Sequence, residues 1–318
     1  MISRIVIIRF SGSVHFGEGL LESSGQSICA DTLFSAICHE IILSGDENRL
    51  HDFITETRDG SFRISDAFPF IADECYIPKP TIGVHSLADN DISDSSVKKQ
   101  FKKLRFLPIS ALQMYLRGDL SAYQCMEYNR AFQSLGNTFL NANVKLPANP
   151  ETDSEPYFIG GFQFKPECGL WFILCAESNT LMDQYLSIIS SLGYSGIGGK
   201  RSSGYGRFNV DSEEIPDSLA DLLTFDQDDR LMTLSVCLPT ESELEKVTPT
   251  ASYMLIRRSG FTASETYADK PQKKNDLYMF TAGSCFSEEF NGDLYDVSVH
   301  GNHPVYRYGY PLFIRFPK

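Results

Sequence analysis

Gly193-Tyr194-Ser195-Gly196-Ile197-Gly198-Gly199-Lys200-Arg201-Ser202-Ser203-Gly204-Tyr205-Gly206-Arg207 is the stretch on which the fold turns. Six of its fifteen residues are glycine, and they flank a Lys-Arg-Ser-Ser core. Glycine admits positive φ and lets a backbone come close to another molecule. Open N–H groups beside two cations and two hydroxyls suit a phosphate. Upstream, Leu181, Met182, Tyr185, Leu186, Ile189 and Leu192 recur at helical spacing, with Asn179 as the cap and Gly193 as the C′ glycine. Downstream, Gly206, Phe208 and Val210 alternate with Tyr205, Arg207 and Asn209, as in a strand. A P-loop or a dinucleotide fingerprint follows a strand and opens a helix, so this loop runs the wrong way for either. Arg201 also stands where a P-loop needs Ser or Thr, and Tyr194 where it needs glycine. Two readings remain: a glycine-rich turn with no ligand, or a backbone cradle for a polyphosphate chain, RNA lying over a sheet.

Farther out, residues 2–10 read as a first strand with apolar residues on both faces. A loop bearing Gly12, Gly17, Gly19 and Gly25 follows. Asp31 is the expected N-cap of a helix carrying Leu33, Phe34, Ile37, Cys38, Ile41 and Ile42, which Gly45 ends. Residues 62–70 and 75–77 are short strands broken by Pro69, Pro78 and Pro80. Residues 157–164 and 169–176 alternate and read as a hairpin turning at Pro166. With residues 81–156 set aside as an insertion, the order is βαββαβ, the ferredoxin-like order. The glycine-rich loop lies between its second helix and last strand. Residues 212–229 are an acidic linker with a helical turn. Strand-like segments near 231–238, 253–258, 277–280, 294–299 and 312–316 predict a second sheet of the same kind over 230–318. The expected class is therefore α+β, with two ferredoxin-like, RRM-like domains at 1–211 and 230–318.

Composition bounds the function. The 318 residues are 42% hydrophobic and 12% aromatic, enough for proper cores. A net charge of −13 argues against binding nucleic acid over the whole surface and leaves room for a local basic groove. No apolar run approaches the ~20 residues of a membrane span, and the alternating start is no signal peptide. The eight cysteines are scattered without a CxxC pair, which predicts reduced, buried thiols and a cytoplasmic protein. No acidic or His-Asp arrangement is read as a metal site, and neither a catalytic metal nor a cofactor is expected. His15 in Val14-His15-Phe16-Gly17-Glu18-Gly19 fits a general acid or base, and equally a hydrogen-bonded loop histidine. Lys98, Lys99, Lys102, Lys103 and Arg105, interleaved with Phe101, Leu104 and Phe106, give a basic and an apolar helix face. That run reads as a solvated surface or as an RNA contact. Arg257-Arg258-Ser259-Gly260-Phe261 is a smaller version of the opening motif, and Gly283-Ser284-Cys285-Phe286 a weaker one. Each is also compatible with a plain strand end.

Residues 196–208 resemble the glycine-rich loop of the RAMP superfamily of CRISPR proteins. His15-Phe16-Gly17-Glu18-Gly19, the helix start Ala30-Asp31 with Phe34-Ser35-Ala36, and Asp66-Ala67-Phe68-Pro69-Phe70 sharpen the likeness. So do Pro78-Lys79-Pro80, Lys103-Leu104-Arg105-Phe106-Leu107, Ser259-Gly260-Phe261, Asp276-Leu277-Tyr278 and Gly283-Ser284. Together they are similar to the family forming the fourth subunit of the type III-A (Csm) effector complex, over nearly the whole chain and least around 110–156. The resemblance implies a non-catalytic subunit that caps the 5′ handle of the crRNA. It implies a place between the large polymerase-like Csm subunit and a backbone-forming Csm subunit, with target RNA met only indirectly. It also implies that the insertion forms a thumb-like hairpin against the guide. With the motifs, it predicts RNA contacts at His15, Phe16, Gly17, Gly19, Ser35, Lys79, Ser195, Gly196, Gly198, Gly199, Lys200, Arg201, Ser202, Ser203, Arg207, Arg258, Ser259, Phe261 and Ser284. Phe16 and Phe261 are the expected stacking rings, each worth ~1–3 kcal/mol per base. The alternative is a metal-independent endoribonuclease cutting CRISPR repeat RNA through His15, Lys200 and Tyr205.

Overall fold

The computed structural model describes residues 1–82, 95–145, 153–224, 230–262, 264, 267–268, 270 and 272–316. Residues 83–94 and 146–152 of the insertion and the linker's end at 225–229 therefore lie outside the described residues. In the first part run β1 (Ile2–Phe10), α1 (Ala30–Leu43), α2 (Glu47–Asp59), β2 (Phe62–Ile64), β3 (Phe68–Ile71), β4 (Glu74–Pro78), α3 (Ser95–Lys103) and β5 (Phe106–Pro108). Next come α4 (Leu112–Leu116), α5 (Ala122–Phe132), β6 (Gly136–Lys145), β7 (Glu155–Phe164), β8 (Cys168–Ala176), α6 (Asn179–Ser195), β9 (Phe208–Glu214) and α7 (Asp217–Thr224). The second part holds β10 (Arg230–Thr233), α8 (Glu241–Val247), β11 (Leu255–Arg258), β12 (Leu277–Phe280), β13 (Cys285–Phe286), β14 (Leu294–Asp296), β15 (Tyr306–Tyr308) and β16 (Phe313–Phe316).

The main sheet is antiparallel, in the order β5-β4-β3-β8-β1-β9, with β2 also on β8. β1 is central, with Val6 opposite Phe172 on one side and Ser212 on the other. Its pleat sends Val6 and Ile8 into one core with α1 and α6, and Ile5 and Ile7 into a second core on the opposite face. Both faces are covered, as the unbroken apolar run of β1 requires. β2 and β3 are two pieces of one edge along β8, split at residues 65–67. There the Ser65 hydroxyl takes over a ladder role, accepting from the Ile173 N–H at 2.9 Å. The split turns Asp66 inward, where Oδ1 accepts from the N–H groups of Ala30 (2.7 Å) and Val236 (2.8 Å).

Several sequence expectations are corrected. Residues 157–164 do not pair with 169–176: β7 pairs with β6 over ten residues, Gly136 opposite Phe164 to Lys145 opposite Glu155, while β8 lies inside the main sheet. Alternation reports the pleat but not the partner. Asp31 is not the N-cap of α1, which Cys29 provides. Its carboxylate is instead turned to Arg258 and Arg307 from the second part of the chain. Ile42 is exposed rather than on the buried face. Gly193 is not the C′ glycine: α6 is capped by Ser178, runs on to Ser195 and ends at Gly196 with φ 79°. Gly193 is needed elsewhere, because a Cβ there would run into the carbonyl of Phe208 in β9. β9 itself continues to Glu214, past the start of the acidic stretch. Helix α2, capped by Asp46 and closed by Gly60 at φ 95°, was not read from the pattern.

In the second part the strands form three small antiparallel ladders, β13-β10-β16, β11-β12 and β14-β15. This part packs on both faces of the first: Val236, Met279, Leu294 and Tyr308 join the α1/α6 core, while Met232, Leu234 and Ile314 join the opposite one. All eight cysteines are free thiols.

Candidate nucleic-acid interface

The glycine-rich loop is built by positive-φ residues at 196, 198, 200, 204 and 206. Lys200 is one of them, at φ 61°, and it precedes a 3-10 turn over Arg201–Ser203. Left-handed Lys200 running into a right-handed 3-10 turn is backbone that can turn successive N–H groups into a concave nest for an anion. Some of the N–H groups hold the loop together. Gly199 donates to the His15 carbonyl and Gly206 to that of Ser13, each at 2.9 Å, and Ile197 donates to the Gly206 carbonyl at 3.0 Å. Gly198, Lys200, Arg201 and Ser202 donate to no acceptor among the described residues. The glycines are required on two counts at Gly206, where φ is 77° and a Cβ would strike the Ile197 carbonyl. Gly199 is needed for close approach, since a Cβ there would lie 2.6 Å from the His15 ring.

His15 is a structural support. It is buried, and its Nδ1 sits 2.7 Å from the Gly160 carbonyl. A carbonyl only accepts, so Nδ1 carries the proton and donates. That bond ties the loop after β1 to the β6–β7 hairpin. Phe16 is also buried, edge-on to Phe10 at 5.6 Å and against Gly198. This corrects the expectation of a stacking ring at Phe16, whose faces are taken up by the core. Gly17 and Gly19 are exposed in the loop that Gly25 closes by donating to the Phe16 carbonyl at 2.7 Å.

The hairpin stands over the loop. Asn141 Nδ2 donates to the Tyr205 hydroxyl at 2.8 Å, and Lys200 Nζ lies 5.7 Å from the centre of the Tyr157 ring. Sequence reasoning missed Asn141, Tyr157 and Gly160. The signal available was Gly160-Gly161, since paired glycines within a strand mark a close backbone approach. Here a Cβ at 160 would meet the Glu22 backbone, and one at 161 the Phe139 ring. Lys200, Arg201 and Arg207 form no ion pair with a carboxylate among the described residues, and Ser202 and Ser203 are exposed. Ser195 is half-buried at the end of α6. The surface therefore joins unspent N–H groups, hydroxyls and cations unpaired among the described residues, a constellation able to hold phosphates.

Other expected contacts lie elsewhere. Arg258 makes a two-pronged bond to Asp31, Nε to Oδ2 at 2.9 Å and Nη2 to Oδ1 at 2.7 Å, with a third to Thr32 Oγ1 at 2.8 Å. Its charge is committed to a buried pair, which corrects its assignment as a free RNA-binding cation. Arg307 bonds the same carboxylate. Burial opposes the charge on Asp31, but the two guanidinium groups hold its carboxyl below the usual range. Burial pushes Asp66 the other way, up to about 7, although its two N–H donors favour the charged form. Lys79 donates to the Phe101 carbonyl at 2.8 Å, and burial lowers its pKa, so its ammonium braces α3. Ser284 is wholly buried, which removes it from any RNA surface. Ser35 is half-buried on α1. Ser259 stays beside the Arg307 knot, its carbonyl accepting from Nη2 at 3.4 Å. Phe261 is 65% exposed and keeps an open ring. Among the described residues, no group of three or more His, Cys, Asp or Glu could hold a metal, and no helix is long and apolar enough to cross a membrane.

Residues 226–316 match the family described as the CRISPR Csm4 C-terminal domain. The chain is 38% identical over 311 residues to a Mycobacterium tuberculosis protein named CRISPR system Cms protein Csm4, covering 96% of this chain and 95% of that one. A Streptococcus thermophilus protein of the same name is 34% identical over 321 residues, covering 99% of each. Among solved structures, the fold resembles a chain of a Csm3–Csm4 subcomplex of the type III-A CRISPR-Cas interference complex, with a TM-score of 0.68 at 20% identity, covering 99% of this chain and 100% of that one. It also resembles a chain of a Csm1–Csm4 cassette bound to AMPPNP, with a TM-score of 0.61 at 19% identity over 99% of each.

Proposed function

The chain belongs to the Csm4 family of type III CRISPR-Cas complex subunits, and on that premise we propose that it is a non-catalytic scaffold that grips the 5′ handle of a crRNA. The observation that carries this reading is the nest of Gly198, Lys200, Arg201 and Ser202 N–H groups that find no acceptor among the described residues, beside three cations that no described carboxylate neutralises. In a chain of net charge −13, such cations mark a narrow site for a polyanion. The β6–β7 hairpin serves as the thumb against the guide, and Phe261 as a ring for a splayed base. Two domains divide the work, 1–211 and 230–318. The first is ferredoxin-like, supported by β9, β1, β8 and the β2–β3 edge standing in the order last, first, third, second. Csm1 and Csm3 relatives are its protein partners, in keeping with the assemblies in which similar chains are found.

The test is binding of handle RNA across a salt series. Lys200→Ala with Arg201→Ala is expected to weaken binding and flatten the log–log salt slope by about 1.4, from ~0.7 per lost phosphate contact on single strands. An unchanged affinity and slope would remove the loop from the RNA site. In EDTA, repeat RNA is expected to stay intact; specific cleavage that disappears in His15→Ala would replace the scaffold with a nuclease.

A further inference from the structure

We infer that the cavity at the root of the β6–β7 hairpin, between α3, β5 and α5, is a second RNA subsite that takes one nucleobase and its flanking phosphates. The cavity holds about 210 Å³ and is lined by Lys103, Arg105, Phe106, Asn129, Phe132 and Gln133. That is below the ~300 Å³ at which pockets for drug-sized ligands begin, and it suits a single base of a strand that runs on outside.

Its chemistry points to nucleic acid. Phe106 and Phe132 are already stacked, with ring centres 5.3 Å apart and planes 8° from parallel, so an entering base extends an existing stack. The Arg105 guanidinium lies 5.9 Å from the Phe106 centre and adds a second planar surface. Asn129 Nδ2 is spent on the Gln100 carbonyl at 3.2 Å, which leaves Oδ1 to accept from a base amine. The Gln133 side chain makes no hydrogen bond among the described residues.

Charge supports the same ligand. Lys99, Lys102, Lys103 and Arg105 are all exposed, and none pairs with a carboxylate among the described residues, in a chain with 41 acidic against 28 basic side chains. The site is also braced. Lys79 holds the end of α3 through the Phe101 carbonyl, and Leu104 and Leu107 are buried beneath it. Gln133, Ser134 and Leu135 link Phe132 to β6, whose Asn141 touches the glycine-rich loop through Tyr205. Five residues of strand separate Gly136 from Asn141, roughly 17 Å at ~3.3 Å each. A strand gripped by the loop therefore reaches this cavity along one side of the hairpin. An acidic protein segment would satisfy the cations but would need an aromatic side chain of its own to continue the Phe106–Phe132 stack, whereas every nucleotide brings a base.

This subsite rests on the RNA-binding reading of the loop, and cross-linking separates the two. The probe is single-stranded RNA of the repeat-derived handle plus guide nucleotides, carrying 4-thiouridine at one position at a time, bound to the full-length chain. One position is expected to cross-link to a peptide containing Phe106 or Phe132. Lys103→Gln with Arg105→Gln, both exposed and compatible with folding, is expected to abolish that cross-link and flatten the salt slope by about 1.4. Phe132→Leu keeps an apolar filler and is expected to lower affinity about 5- to 150-fold through lost stacking. Cross-links confined to the loops at 15–25 and 193–207, with an unchanged slope in the glutamine variant, would overturn the subsite and leave the handle site standing. RNA that binds nowhere would overturn both. Loss of an acidic protein partner in the same variant, with RNA binding intact, would reassign the cavity to that partner.

Discussion

Lys200-Arg201-Ser202-Ser203-Gly204 and Arg257-Arg258-Ser259-Gly260 are nearly the same words in opposite environments. At the first, the cations stand free beside unspent N–H groups. At the second, Arg258 is locked with Arg307 onto Asp31, whose side chain is 1% exposed. The difference lies in what a distant part of the chain delivers. α1 brings a buried carboxylate to Arg258, 227 residues away, whereas the groups that reach the loop among the described residues, such as the Ser13 and His15 carbonyls, Asn141 and the Tyr157 ring, carry no negative charge. One region spends its positive charge joining the two parts of the chain. The other leaves its charge unpaired by any carboxylate among the described residues.

The sharpest way to break this contrast is Asp31→Asn. Arg258 and Arg307 would then be buried without a counter-charge, and urea unfolding is expected to show a loss of about 3–5 kcal/mol. A loss under about 1 kcal/mol would mean that the knot does not hold the parts together. Next in size is Gly206→Ala, which combines positive φ with a clash on the Ile197 carbonyl; at least about 2 kcal/mol should be lost. Gly204→Ala, with φ 84° but open space around it, should lose only about 1 kcal/mol. Equal effects at the two glycines would deny the close approach at 206.

An effect comparable in total with the first, but spread over about three pH units, comes from pH. The unfolded carboxyl of Asp66 titrates near ~3.9, while burial raises the folded one to about 7. Between these values the native state holds the extra proton, so stability contributed by Asp66 is lost as pH climbs, by up to about 1.4 kcal/mol per unit. Asp66→Asn keeps an oxygen for Ala30 and Val236 and should flatten the urea midpoint between pH 4.5 and 7; parallel curves for the two proteins would refute the assignment. Asp31 acts in the opposite sense. Its lowered folded pKa makes its contribution disappear only as pH falls below the ordinary carboxylate range. The smallest stability effect is expected from Lys200→Ala with Arg201→Ala, within about 0.5 kcal/mol, because these side chains brace little. A larger loss would make the loop cations structural, like Arg258.

The main frame was legible because its signals are local. β1 has apolar residues on both faces, α1 and α6 carry helical stripes, and glycines cluster where left-handed backbone is needed. Less legible were the pairings. β7 alternates as well as β8 does, yet its partner is β6, because alternation fixes which face a side chain takes and leaves the neighbouring strand open. The candidate site was half legible. The loop itself stood out by composition, but Phe16, Lys79, Arg258 and Ser284 look available in sequence and prove to be buried or committed.

By itself, then, the sequence determined the elements on either side of the glycine-rich loop, the direction in which the chain passes through it, and the family, since each is written in residues close together or in an ordered set of motifs. Only the tertiary structure decided which cations are free. A guanidinium's role depends on whether a carboxylate from hundreds of residues away reaches it in a water-poor place, and no local pattern records that encounter.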